Sequence, residues 1–271
     1  MTAVQRLDDA LAPWRVVQFG AIDSTNEEAR RRALAGDPGR MWIVPDEQTA
    51  GRGRRGRAWI SLKGNLHASA LLIDPCSAPI APQLGFVAGV ALARAARDIG
   101  SGEVGLKWPN DLLCNGAKCA GILIESAALL SRGAAYVVGV GVNCAEAPDG
   151  LDYPTTCLTR ANGMAASPGD LFERLVVRFG ETLGEWRAGE AFESIRAAWL
   201  DCALGLGGPI VIENSGVSHE GVFEGIDANG RLLFRSGRGL KTVEAADLRI
   251  LPALDAPGGA SSDSRAGEGR V

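Results

Sequence analysis

Histidine is almost missing from this chain: two in 271 residues, His67 and His219. A Ser-His-Asp or Cys-His relay needs an imidazole beside both a nucleophile and a carboxylate, and two distant histidines give little to build one from. Any chemistry is therefore expected to rest on lysine, arginine and carboxylates. The six cysteines (Cys76, Cys114, Cys119, Cys144, Cys157, Cys202) contain no CxxC pair. Structural zinc takes four well-spaced Cys/His ligands, so these cysteines read as buried, reduced side chains of a cytoplasmic protein. No apolar run approaches the ~20 residues that span a bilayer. Asp8 and Asp9 interrupt the N-terminal stretch where a signal peptide would be apolar. Positive charge is short as well: 28 Lys+Arg against 32 Asp+Glu, net −4, which argues against a molecule that binds nucleic acid with its whole surface. The Walker Gly-x-x-x-x-Gly-Lys-Ser/Thr is absent and Gly-x-Gly-x-x-Gly is not completed. A bound nucleotide would need another cradle.

Glycine, by contrast, is abundant at 36 residues, about twice the average frequency. Hydrophobic residues make up 46%, and a chain of this length can bury roughly 70–75% of its unfolded surface without a staple. Alternation over Trp14–Phe19 predicts a strand, and Ser24 with Glu27 has the capping-box spacing for a helix to about Leu34. Met41–Pro45 predicts a second strand, Asp46–Gly64 a polar glycine/arginine loop, and Asn65–Ile73 a buried strand. Leu84, Val87, Ala88, Ala91, Leu92 and Ala95 mark a helix that Gly100 ends. Short strands at Val104–Lys107 and Leu112–Cys114 lead through the turn signal Asn115-Gly116 into Cys119–Glu125, and Ala135–Asn143 predicts another buried strand. Helices follow over 172–186 and 191–200. From Gly205 the period becomes two, which predicts a small all-β, barrel-like appendix of about 45 residues. The Gly/Ser/Ala/Asp-rich stretch from Pro252 predicts a disordered tail.

Three segments can carry chemistry. In Gln48 to Trp59, four arginines and three glycines fill the seven residues Gly51–Arg57. Backbone amides freed by glycine and bidentate guanidinium groups suit a small polyanion; a solvated, nucleic-acid-binding arginine/glycine segment is the alternative. Lys107-Trp108-Pro109-Asn110-Asp111 is followed seven residues later by Lys118. A turn at Asn115-Gly116 would let Asp111 and Lys118 meet across a hairpin, the carboxylate keeping the lysine charged and oriented. An exposed pair of that kind would be worth under ~1 kcal/mol. Gly139-Val140-Gly141-Val142-Asn143 ends a buried strand; its glycines would let a flat ligand reach the backbone, and Asn143 could hydrogen-bond an adenine edge.

Taken in order, Asp23-Ser24-Thr25-Asn26, Gly-Arg-Gly-Arg-Arg-Gly within Gln48–Trp59, Lys107–Asp111, Lys118–Leu123 and Gly139–Asn143 resemble the biotin–protein ligases over residues 16 to 252. The resemblance implies an α+β fold: a class II synthetase-like domain (1–204) with a mixed β-sheet flanked by helices, an SH3-like C-terminal β-barrel (205–252), and the tail 253–271. It implies that biotin and MgATP form biotinyl-5′-AMP, which biotinylates one lysine of a biotin carboxyl carrier domain. Carried over by position, Ser24, Thr25, Asn26, Gln48, Gly51, Arg52, Lys118, Gly121, Gly139 and Gly141 would bind biotin. Arg54, Arg57, Trp59, Lys107, Asn110, Lys118 and Asn143 would bind ATP, and Arg54, Lys107, Asp111 and Lys118 would be catalytic. Magnesium would arrive with ATP, no metal site being made by the protein alone. A homodimer is left open, and no membrane or DNA partner is expected, because too little chain precedes the Trp14 strand for the winged helix-turn-helix of some relatives. His67 departs from the family's aromatic-aliphatic strand and reads as a core or edge histidine. A lipoate–protein ligase-like enzyme and a non-catalytic nucleic-acid module are the alternatives; the Arg-Arg-x-x-Gly-Gly-Gly element of the former is missing.

Overall fold

The computed structural model describes residues 3–7, 14–129, 133–214 and 216–251. Its first sheet runs through β1 (Ala3–Leu7), β2 (Trp14–Ile22), β3 (Met41–Gln48), β4 (Leu66–Ile73), β5 (Val104–Lys107), β6 (Asp111–Cys114), β7 (Ala117–Leu129) and β8 (Gly133–Val142). The spatial order is β1-β2-β3-β4-β8-β7-β6-β5. Only β2–β3 is parallel; the other pairs are antiparallel, so the sheet is mixed. The parallel pair needs a crossover, and helix α1 (Thr25–Leu34) supplies it.

Period-two alternation decides which side of the sheet each residue serves. On β4, Leu66, Ala68, Ala70 and Leu72 face α2 (Gln83–Asp98) and α4 (Pro168–Trp186), within a large core that includes Trp14, Trp42, Leu84, Phe179 and Trp199. Rings of Trp14, Trp42, Phe172 and Phe179 meet there at centroid distances of 5.3 to 5.9 Å. Leu71 faces the other way, joining Val17, Ala29, Ala33, Met41, Ile43 and Val137 under α1. A ten-residue helix is only about 15 Å long. It covers β3, β4 and β8 as far as Gly139, where Asn26 sits, and leaves Gly121 and Gly141 to Trp59 of the arginine loop.

After α3 (Leu158–Asn162), α4 and α5 (Phe192–Leu200) the chain enters a five-stranded antiparallel sheet. Its strands are β9 (Pro209–Asn214), β10 (Val217–Ile226), β11 (Leu232–Ser236), β12 (Gly239–Val243) and β13 (Asp247–Ile250), in the order β12-β11-β10-β9-β13. Ile210, Ile212, Phe223, Ile226, Leu232, Phe234 and Leu248 belong to the same buried cluster as Trp108 and Trp199. The indole N–H of Trp108 donates to Gly230 O at 3.3 Å, and Leu204 N donates to Leu106 O at 2.9 Å.

The sequence-based reading differs from this fold at several element ends, β2 running on to Ile22 and β7 spanning Ala117–Leu129, and in short elements it lacked. Strand β3 runs to Gln48 rather than Pro45, because Glu47 and Gln48 stay paired with Ala21 and Ile22 despite their polarity. Strands β1 and β13 and helix α3 were not anticipated; the latter two are only four and five residues long, too short for periodicity to speak. Residues 252–271, with the expected tail, lie outside the described residues.

Candidate active site

A cleft of about 960 Å³ opens between the arginine loop, β6–β8 and the C-terminal sheet, a volume suited to a small-molecule site. Its polar end is built by the start of α1. Ser24 caps the helix, accepting from Glu27 N at 3.5 Å. Thr25 donates from N (2.8 Å) and Oγ1 (3.0 Å) to Gln48 Oε1, and Gln48 Nε2 donates to Ser61 Oγ at 3.1 Å. Asn26 donates to Glu125 Oε2 at 2.8 Å and accepts from Ser69 Oγ at 2.6 Å. Ser24, Thr25, Asn26 and Gln48 are all buried. Arg52 joins this end to the loop, donating to Glu27 at 2.9 Å and Glu125 at 2.6 Å.

At the cationic end the hairpin places Lys118 Nζ 2.7 Å from Asp111 Oδ1, with Lys107 Nζ 3.3 Å from Oδ2. One carboxylate thus tethers two ammonium groups. A bulge makes this possible: Asp111 pairs with Gly121 and Leu112 with Ala120, but Leu113 pairs with Lys118. Cys119 is the extra residue, so Lys118 and Gly121, three apart, emerge on the same face. Bulges re-aim side chains in this way beside functional sites. Lys118 also lies 5.3 Å from the Tyr153 ring centroid and 6.0 Å from that of Trp59. Arg54 donates to Asn110 Oδ1 at 3.0 Å, and Asn110 Nδ2 anchors to Ile122 O at 2.8 Å. Burial pulls the Arg54 guanidinium below its ordinary pKa, opposed by the charge of Asp247. Arg55 and Arg57 donate to Asp247 Oδ2 and Oδ1, each at 2.9 Å.

The glycine floor works differently from the expectation that it admits a flat ligand to the backbone. A Cβ on Gly139 would sit 2.2 Å from Asn26 Oδ1, and one on Gly141 2.6 Å from the Trp59 indole. Here these glycines make room for the protein's own side chains. The residues lining the cleft include Ser24, Thr25, Asn26, Gln48, Arg52, Arg54, Arg57, Trp59, Lys107, Asn110, Asp111, Lys118, Gly121, Gly139 and Gly141.

Two expected residues stand apart from that lining. Gly51 serves the loop's own closure: Trp59 N donates to its carbonyl at 3.0 Å, and a Cβ there would lie 2.6 Å from Trp59 O. Asn143 is buried, with Nδ2 donating to Thr156 O at 3.2 Å and its backbone N to Cys119 O at 2.8 Å. It ties the end of β8 to the following segment. Sequence reasoning missed Glu27, Ser61, Ser69, Glu125, Tyr153 and Asp247. Glu125 was findable, since it alternates with Gly121 and Leu123 on β7; Asp247 carried no local signal. His67 is buried opposite Gly141, and burial lowers its pKa, keeping it neutral. Among the described residues all six cysteines are free, and burial pushes the Cys144 thiol up to about 12.

A cleft with a polar end and a cationic end beside a mixed sheet defines a small-molecule-binding protein. Residues 20–143 match the biotin/lipoate A/B protein ligase family. The chain is 38% identical over 237 residues to the biotin–[acetyl-CoA-carboxylase] ligase of Paracoccus denitrificans, covering 83% of this chain and 96% of that protein. It is 30% identical over 243 residues to the enzyme of the same description from Mycobacterium tuberculosis, covering 87% and 89%. The biotin protein ligase of Aquifex aeolicus, solved with biotin and ATP, superposes with a TM-score of 0.75 at 27% identity, over 87% of this chain and 99% of that one. This chain belongs to the biotin/lipoate A/B protein ligase family, among its biotin–protein ligases.

Proposed function

We infer that this chain is a biotin–protein ligase: it activates biotin with ATP and transfers the biotinyl group to a lysine of a biotin carboxyl carrier domain. Residues 1–204 form the catalytic part and 205–252 the C-terminal part. The observation that carries the reading is the meeting, in one cleft, of the Lys107–Asp111–Lys118 cluster with Arg54 and the Thr25–Gln48 polar end. The biotin ureido group, with one carbonyl acceptor and two N–H donors, matches an end where Ser24, Thr25, Asn26 and Gln48 offer both donors and acceptors. The arginine loop is folded onto Glu27, Glu125, Asn110 and Asp247, which speaks against a solvated nucleic-acid segment.

In the first step a biotin carboxylate oxygen bonds to the α-phosphorus of ATP while the bond to the β-phosphate breaks and pyrophosphate leaves. Two anions must meet, and negative charge grows on the non-bridging oxygens. Lys118 and Arg54 neutralise it, and preorganised donors at such a centre contribute about 3–4 kcal/mol each. Asp111 holds Lys118 in place, and Trp59 and Asn110 flank the nucleotide. Magnesium would enter as part of the nucleotide substrate, bound to its phosphates. In the second step the amine of the acceptor lysine attacks the acyl carbon, gives up a proton, and AMP departs. Closure of the arginine loop over the mixed anhydride keeps water from it.

The deciding experiment incubates purified protein with biotin, MgATP and a biotin carboxyl carrier domain and weighs the carrier by mass spectrometry. One biotinyl group on one lysine, dependent on ATP, is expected. A carrier of unchanged mass, or a gain without ATP, would overturn the reading.

A further inference from the structure

We propose that Asp247, the first residue of β13, is a resident counter-ion that occupies Arg55 and Arg57 in the ligand-free enzyme and yields Arg57 to nucleotide phosphate. The proposal rests on the reading above. Its basis is geometric. The Asp247 carboxylate takes one hydrogen bond on each oxygen, from two guanidinium groups 190 and 192 residues earlier in the chain, each at 2.9 Å. A carboxylate bridging two arginines presents the same oxygens that a phosphate would. The other two loop arginines have their partners within the catalytic part: Arg52 on Glu27 and Glu125, Arg54 on Asn110.

The loop tip needs such a partner. Arg55 (φ 56°) and Gly56 (φ 72°) are both left-handed, a conformation costly for arginine, and three cationic residues, Arg54, Arg55 and Arg57, crowd the turn. Asp247 relieves their repulsion and docks the loop on the C-terminal sheet. Burial works to raise the Asp247 carboxyl, but the Arg57 hydrogen bond and the charges of Arg55 and Arg54 outweigh it and hold it ionised. Asp247 and Arg57 both line the cleft, so an entering triphosphate competes with Asp247 for the Arg57 guanidinium, while Arg55 holds the carboxylate from outside the lining. By linkage, a contact made only without ligand must weaken ligand binding.

Two readouts of Asp247→Asn test this. Trypsin cuts after the loop arginines; in the ligand-free variant that cleavage should quicken about three- to fivefold, the size of one partly exposed charge pair. KM for ATP should fall by a similar factor, while KM for biotin and kcat stay within about twofold. Asp247→Glu, which keeps the charge, should restore both values, separating the effect from general loss of fold. An unchanged cleavage rate, or a KM for ATP that rises, overturns the proposal. Absence of biotinylation by the wild-type protein would instead sink the enzyme reading, and the ligand-free trypsin result would still stand.

Discussion

At the scale of single residues, the ammonium of Lys118 has the most to lose. It is fixed at 2.7 Å from Asp111 and faces the place where charge develops. Lys118→Ala should therefore cut adenylate formation by roughly 10²–10³, the loss seen when a preorganised donor is removed. Pyrophosphate release with biotin and MgATP measures it, and activity within about threefold of wild type would remove Lys118 from the role. Floor glycines make a graded second test. A Cβ on Gly141 falls 2.6 Å from Trp59, whereas one on Gly121 falls 3.2 Å from the same ring. Overpacking costs about 1–3 kcal/mol, so Gly141→Ala should weaken joint binding of biotin and ATP about tenfold in calorimetry, and Gly121→Ala less. Equal affinities for both variants would show that the indole moves aside at no cost. The chemistry-bearing side chains were legible in the sequence because lysine, arginine and asparagine announce their type. Their partners were less so: Glu125 shows only its alternation with Gly121 and Leu123, and Asp247 looks like any surface acid until the fold brings it to Arg55 and Arg57.

Among the elements, α1 and the β6–β7 hairpin were readable because a cap or a turn marks each. Ser24 with Glu27 fixed the first, and Asn115-Gly116, at φ 50° and 77°, the second. Asp23 reinforces the start of α1 through a two-pronged hydrogen bond from Arg31, 2.8 Å on each oxygen. That hydrogen bond lowers the Asp23 carboxyl from 3.8 to about 2. The group is depressed in the folded state, so its contribution is full above pH ~4 and fades as pH falls toward 2. Both partners are nearly half exposed, which limits the contribution to under ~1 kcal/mol. A carbon-detected NMR titration of Asp23 should give a midpoint near 2 in wild type and near the ordinary value in Arg31→Gln; coincident midpoints would deny the pairing. The arginine loop was legible as polar and glycine-rich but not as folded, because its order comes from partners scattered over α1, β7 and β13.

At the scale of the whole molecule, the larger of the two apolar clusters runs from Trp14 to Leu248 and is shared by both sheets. A period-two pattern announced the second sheet, but nothing local said that it would share its core with the first. Unfolding should accordingly be a single calorimetric transition. Trp108→Phe, which leaves Gly230 O without its indole donor, should cost about 1 kcal/mol and lower the midpoint by roughly 2–4 °C. Two separated transitions in wild type would contradict the common core. The extra residue at Cys119 has an outcome contrary to the usual rule that shortening a strand inverts it. Excising Cys119 turns an irregular ladder into a regular one, so the ammonium stays on its side and turnover survives in part. Excising Ile124 instead shifts the strand from Leu123 back to Lys118 by one residue, which turns the ammonium away from Asp111 and silences the enzyme.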